Sequence, residues 1–135
     1  MELVKTAVLP IDQEVDALPC QNVTKAYIKG IYKDFIRAEK VPNHSSITIL
    51  YAEAKFSYDF EKFRSLADWL FYLKTLYPEH LNAASPDYYD AVAQNSYYRC
   101  YVIVNRQWKV FEELADQFEE ISQAMSSRLT LSKRL

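Results

Sequence analysis

Glu112, Asp116, Glu119 and Glu120 fall close together in one stretch, at spacings that would bring several carboxylates to one face of a helix. Carboxylates gathered in this way serve as general acid–base pairs or hold a divalent cation through oxygen. Either chemistry needs burial or crowding to shift their pKa values. The same residues stand opposite an apolar stripe, so the solvated back of an amphipathic helix is the simpler reading. Other reactive groups are sparse. Neither His44 nor His80 has a glutamate three residues before it, and no H-E-x-x-H occurs, so no metal site is expected. His80 follows Pro78 at the end of an apolar helix, where it would complement the helix dipole, and His44 sits in a polar loop. Cys20 and Cys100 form no C-x-x-C pair, and Cys100 lies in an aromatic run that reads as inert core. The single glycine, Gly30, excludes a G-x-S-x-G elbow, a dinucleotide fingerprint and a P-loop. No catalytic residue, cofactor or metal is assigned.

The residue types that do stand out are suited to binding. The chain has eleven tyrosines, five of them at Tyr88, Tyr89, Tyr97, Tyr98 and Tyr101. Tyr89, Ala93, Tyr97 and Tyr101 recur every fourth residue and line one helix face. Packed inward, such rings build a core whose hydroxyls need partners; left outward, they offer large contact area at low entropic cost. The candidate binding residues are Trp69, Tyr72, Tyr89, Asn95, Tyr97, Tyr98 and Tyr101. They would form either a protein interface or a bundle-core pocket for a small apolar or aromatic ligand, framed by Tyr97, Tyr101, Trp69 and Asn95. A second candidate is the basic face of Lys25, Lys29, Lys33 and Arg37, repeating every fourth residue with Lys40 in the same arc. From Asn22 to Lys40 five basic residues oppose two acidic ones, and from Arg106 to Met125 two oppose five, so the chain is electrically two-faced. The basic face could meet an acidic protein, including the acidic helix of another copy. A net charge of −2 weighs against nucleic acid and anionic membranes.

Six segments position these groups. The first twenty residues, with Pro10 and Pro19, read as a docked arm with a short helical turn. A helix is expected from Asn22 to about Lys40, stopped by Pro42, with Tyr27, Ile28, Ile31, Tyr32 and Phe35 on its apolar side. Ile47 to Phe56 is ambiguous between strand and short helix, and its Ala-Glu-Ala-Lys favours helix. Ser57 or Asp59 caps a helix to about Leu76 whose apolar residues cover well over half its circumference, leaving Glu61, Arg64, Asp68 and Thr75 as a narrow polar strip. Such a helix is either central or covered by a second subunit. Ser85, Pro86 and Asp87 start a helix to about Val104, broken at Asn105. A last helix spans about Gln107 to Met125, followed by a flexible tail over 126–135.

The pattern predicts a single all-α domain, a four- or five-helix bundle with antiparallel neighbours. No apolar run reaches the ~20 residues of a membrane span. The opening Met-Glu-Leu-Val-Lys carries no long apolar h-region, which with the cysteine usage suggests a reduced, cytoplasmic protein. Leu-Ala-Asp-Trp-Leu-Phe from Leu66, Tyr-Pro-Glu-His-Leu from Tyr77, Asp-Tyr-Tyr from Asp87, Ser-Tyr-Tyr from Ser96 and Val-Phe-Glu-Glu-Leu-Ala from Val110 resemble a group of uncharacterised small helical proteins of bacteria. The resemblance covers Leu66 to Glu120. It implies a bacterial helical domain with a Tyr-rich helix shared for packing or binding, and no activity. The functional expectation is a non-enzymatic interaction protein that self-associates through aromatic helix faces, the alternative being a small-ligand-binding protein or minor enzyme with a Tyr-lined pocket in the bundle core.

Overall fold

The computed structural model describes residues 11–38 and 44–134, and among these side chains those of 37–38, 44–45 and 131–134 lie outside the description. The described residues form six α-helices and no strand: α1 (Ile11–Asp16), α2 (Asn22–Ala38), α3 (His44–Ser57), α4 (Phe60–Leu76), α5 (Pro86–Ile103) and α6 (Lys109–Arg134). A single 3-10 turn, Pro78–His80, separates α4 from α5. None of these helices is long and apolar enough to cross a membrane. Residues 1–10 of the expected arm, and Lys40 with Pro42, lie outside the described residues.

Capping chemistry fixes the two central helices where the sequence placed them. Asp59 accepts from the Lys62 amide and starts α4, and Ser85 accepts from the Tyr88 amide with Pro86 at the first helical position of α5. α2 begins differently. Its first exposed donors are satisfied from across the molecule by Glu113 of α6, which accepts from the Gln21 amide (3.1 Å) and the Thr24 hydroxyl (2.6 Å). A full carboxylate beside a helix N-terminus also complements the dipole, so Asn22 lies within the helix instead of capping it.

α4 is the central helix. Phe63, Leu66, Ala67, Leu70, Phe71, Leu73 and Leu76 are all buried, and α4 packs against α2, α3, α5 and α6. Its wide apolar face is therefore consumed inside one chain. Aromatic rings fill much of the core. Phe111 meets Tyr27 and Phe60 edge-on, each at 5.5 Å between centroids, and stacks with Tyr97 and Trp108. Farther along, Phe118 packs against Phe71 and Tyr97.

The third segment is helical, as its Ala-Glu-Ala-Lys favoured, and runs from His44 to Ser57 with Ile47 and Ala54 buried. One expectation needs correction. The supposed flexible tail is a continuation of α6 to Arg134 past a kink at Gln117 (φ −115°, ψ 20°). Leu129 is fully buried there, and Arg128 donates to Glu14 of α1 at 2.6 Å. Burial of one leucine and a tie to α1 hold a segment that reads in isolation as fraying.

Candidate functional site

Asp68 lies on α4 with only 2% of its surface exposed, and three side chains converge on it. Tyr97 of α5 donates to Oδ1 at 2.7 Å, and Tyr27 of α2 donates to both oxygens at 2.9 and 2.8 Å. Arg64, one turn earlier on α4, donates to Oδ2 at 3.0 Å and makes two bonds to Glu61, at 3.0 and 2.6 Å. Burial pushes the Asp68 carboxyl up to about 6, while Tyr97, Tyr27 and Arg64 pull it down. Burial and the neighbouring carboxylate push the Tyr27 and Tyr97 phenols above their ordinary value, so both stay protonated donors. The node ties α2, α4 and α5 through one carboxylate. A second buried tie, Tyr32 to Thr75 at 2.6 Å, joins α2 to the far end of α4.

The polar strip expected on α4 thus splits. Glu61 faces solvent and Arg64 is half-buried, whereas Asp68 and Thr75 receive tyrosine hydroxyls inside the bundle. The sequence placed Asp68 only in a narrow polar strip and did not single it out. The signal that could have found it was the tyrosine excess itself, since so many buried hydroxyls require acceptors.

The candidate binding residues do not surround a common space. Tyr97 is fully buried between Phe111 and Phe118 with its hydroxyl on Asp68. Trp69 packs on Phe35, and Tyr72 packs on Tyr32, Phe35 and Tyr77. Asn95 accepts from the Tyr51 hydroxyl of α3 at 3.0 Å, and Tyr101 is buried with its hydroxyl accepting from Lys109 at 3.3 Å. Tyr89 is buried against Tyr88, and only Tyr98 is exposed.

The basic face is divided as well. Lys25 donates to the Asp16 carbonyl and Lys29 pairs with the Asp16 carboxylate, both at 2.8 Å, so these two hold α1 against α2. Hydrogen bonding to Asp16 raises Lys29 above its ordinary pKa. Lys33 is exposed, and the Arg37 side chain lies outside the described residues. On α6, Asp116, Glu119 and Glu120 face solvent as the simpler reading required. Burial, reinforced by Glu113, pushes the Cys20 thiol up to about 11, and burial likewise raises Cys100; neither is a nucleophile at neutral pH. His80 is exposed on the 3-10 turn, its ring against Tyr77.

Besides Tyr98 on α5, the exposed aromatic side chains among the described residues gather at one end. Phe56 is 94% exposed at the end of α3, Tyr58 follows in the turn, and Trp108, 53% exposed, stands at the start of α6. The α3–α4 and α5–α6 turns share this end of the bundle, since Trp108 meets Phe60 edge-on at 6.2 Å. Arg99 lies over the Tyr58 ring at 5.9 Å. Both turns contain left-handed residues that are not glycine: Tyr58 (φ 51°), Asn105 (φ 57°) and Arg106 (φ 58°). They close the ends of α3 and α5, with the Tyr58 amide donating to Ala54 and the Arg106 amide to Tyr101, as left-handed residues commonly do after a helix.

Two grooves among the described residues are less suited to a ligand. One, of about 220 Å³, lies between Lys74, Pro78, Leu81, Pro86, Tyr89 and Asp90, with the Lys74–Asp90 ion pair (2.9 Å) in its wall. It falls below the roughly 300–1,000 Å³ of small-molecule sites. The other, about 460 Å³, is an open polar cleft along Lys109, Glu112, Glu113 and Asp116, in which Glu113 is committed to the start of α2. Among the described residues no group of three or more His, Cys, Asp or Glu is placed to hold a metal ion. Comparison with protein-family models, curated proteins and solved structures finds no match to this chain.

Proposed function

We propose that the chain is a non-enzymatic interaction module that self-associates, with the aromatic end formed by Phe56, Tyr58 and Trp108 as its contact surface. The observation that carries this reading is the exposure of Phe56 with two other large aromatics at one end, while of the other described aromatic rings only Tyr98 is exposed and the rest are buried or partly buried. The faces of α4 and α5 named from the sequence are turned inward, so a second copy has to meet the chain elsewhere. A surface patch of large rings is self-complementary about a two-fold axis, and aromatic anchors carry a large share of interface energy. Water-exposed rings of this size gain by mutual burial at about 25 cal/mol per Å².

Sedimentation equilibrium tests the reading. The wild-type protein is expected to form a dimer that dissociates on dilution, and the Phe56→Ser, Trp108→Ser double variant is expected to be a folded monomer. A wild-type protein that stays monomeric at every practical concentration overturns the proposal. So does a double variant that dimerises as tightly as the wild type.

A further inference from the structure

The Asp68 node contains only donors to the carboxylate: two phenol O–H groups and one guanidinium N–H, all at 3.0 Å or less. That set fits an ionised acid. A neutral carboxylic acid carries a proton that needs an acceptor of its own, and it no longer offers a charge to the guanidinium, so the all-donor arrangement has to change. The titratable and charged groups facing Asp68 are Tyr27 and Asp34 from α2, Glu61 and Arg64 from α4, and Tyr97 and Cys100 from α5; α6 brings only the Phe111 ring between Tyr27 and Tyr97. Of the three donors, Tyr97 is fully buried and holds Oδ1 at 2.7 Å. Arg64 is half-exposed and already makes two bonds to Glu61, so it is the donor that can leave at least cost.

We propose that Asp68 is a proton-operated latch on Arg64, holding the guanidinium against the bundle when ionised and releasing it to Glu61 and solvent when Asp68 takes up one proton. The proton arrives from solvent and bonds to Oδ2. The Oδ2–H then donates to the Tyr27 hydroxyl, whose own hydrogen turns away, and Tyr97 continues to donate to Oδ1. The carboxyl keeps a donor on Oδ1 and gains an acceptor for its proton, and the half-buried Tyr27 hydroxyl accepts where it had donated, so the same fold holds two discrete arrangements of the node. Burial holds the Asp68 carboxyl at about 6, which places the change within the range of ordinary cellular acidification. The output is the freedom of one cation a single helical turn from Phe60 at the aromatic end. This inference stands apart from self-association and does not require it.

Nuclear magnetic resonance of the wild-type protein tests it directly, following the Arg64 Nη1–H, the group that bonds Asp68, and the Asp68 side-chain carboxyl carbon in one sample from about pH 7.5 to about pH 4.5. The Arg64 signal is expected to lose its protection from solvent exchange with the same midpoint as the Asp68 signal. In Asp68→Asn it is expected to be unprotected throughout. An Arg64 signal that is unchanged across the range overturns the latch, and so does one that follows the Glu61 carboxyl carbon instead. The wild-type titration decides the matter even where Asp68→Asn fails to fold.

Discussion

Replacing Phe111 by alanine is expected to destabilise the fold by about 4 kcal/mol, the range for emptying an aromatic site in a packed core. Phe111 is 1% exposed, and its ring is the common neighbour of Tyr27 from α2, Phe60 from α4, Tyr97 from α5 and Trp108. Four rings converging on one leave little room for the surroundings to collapse inward, so both the transfer and the cavity contributions should appear in full. Denaturant unfolding checks this as a lower midpoint with an unchanged slope. Phe56→Ala provides the comparison within the same experiment. With its ring 94% exposed, Phe56 has little packing to lose, and the change should stay within about 0.5 kcal/mol. Equal losses at the two positions would mean that the division between inner and outer aromatics is wrong.

The second large effect is on the pH dependence of stability. The Asp68 carboxyl is raised from 3.8 to about 6 in the fold, so between those values the folded protein binds more protons than the unfolded chain. Stability therefore falls as pH rises from about 4 to about 6 and levels above that, by on the order of 2 kcal/mol from this group. Acid strengthens the fold here, opposite to a salt-bridged surface carboxylate. Asp68→Asn keeps an acceptor for Tyr97 without a titrating proton and should remove most of that slope. Unfolding midpoints collected across this pH range check it; a variant with the wild-type slope would assign the dependence to other carboxylates.

The sequence was most readable where local chemistry decides structure. Asp59 and the Ser85–Pro86–Asp87 start mark α4 and α5 because a capping oxygen acts within three residues of its donor. The breadth of the apolar face of α4 was legible too, but its two explanations, a central helix or a subunit contact, differ only in what lies opposite. That is a tertiary fact, and the packing of four other helices on α4 resolved it. Readings based on one segment failed where distant residues intervene. Glu113 caps α2 from 92 residues away, and Arg128 reaches Glu14 across 114, which is why α6 persists where a frayed end was expected. The site suffered most from this. Spacing put Asp68 in a polar strip and left Tyr97 open between core and binding face, and it could not show that the two satisfy one another in the interior. Phe56, by contrast, was passed over as the end of an ambiguous segment, since exposure of an apolar residue cannot be read from its own neighbourhood.

The account rests on a partition of the aromatic residues between a sealed interior and one open end. Hydroxyl-radical footprinting of the native protein measures that partition residue by residue. It is expected to oxidise Phe56, Tyr58 and Trp108 rapidly while Tyr32, Tyr97 and Phe111 stay protected until the chain unfolds. Rapid oxidation of Tyr97 and Phe111 in the folded protein, with Phe56 and Trp108 shielded at concentrations too low for self-association, would contradict it.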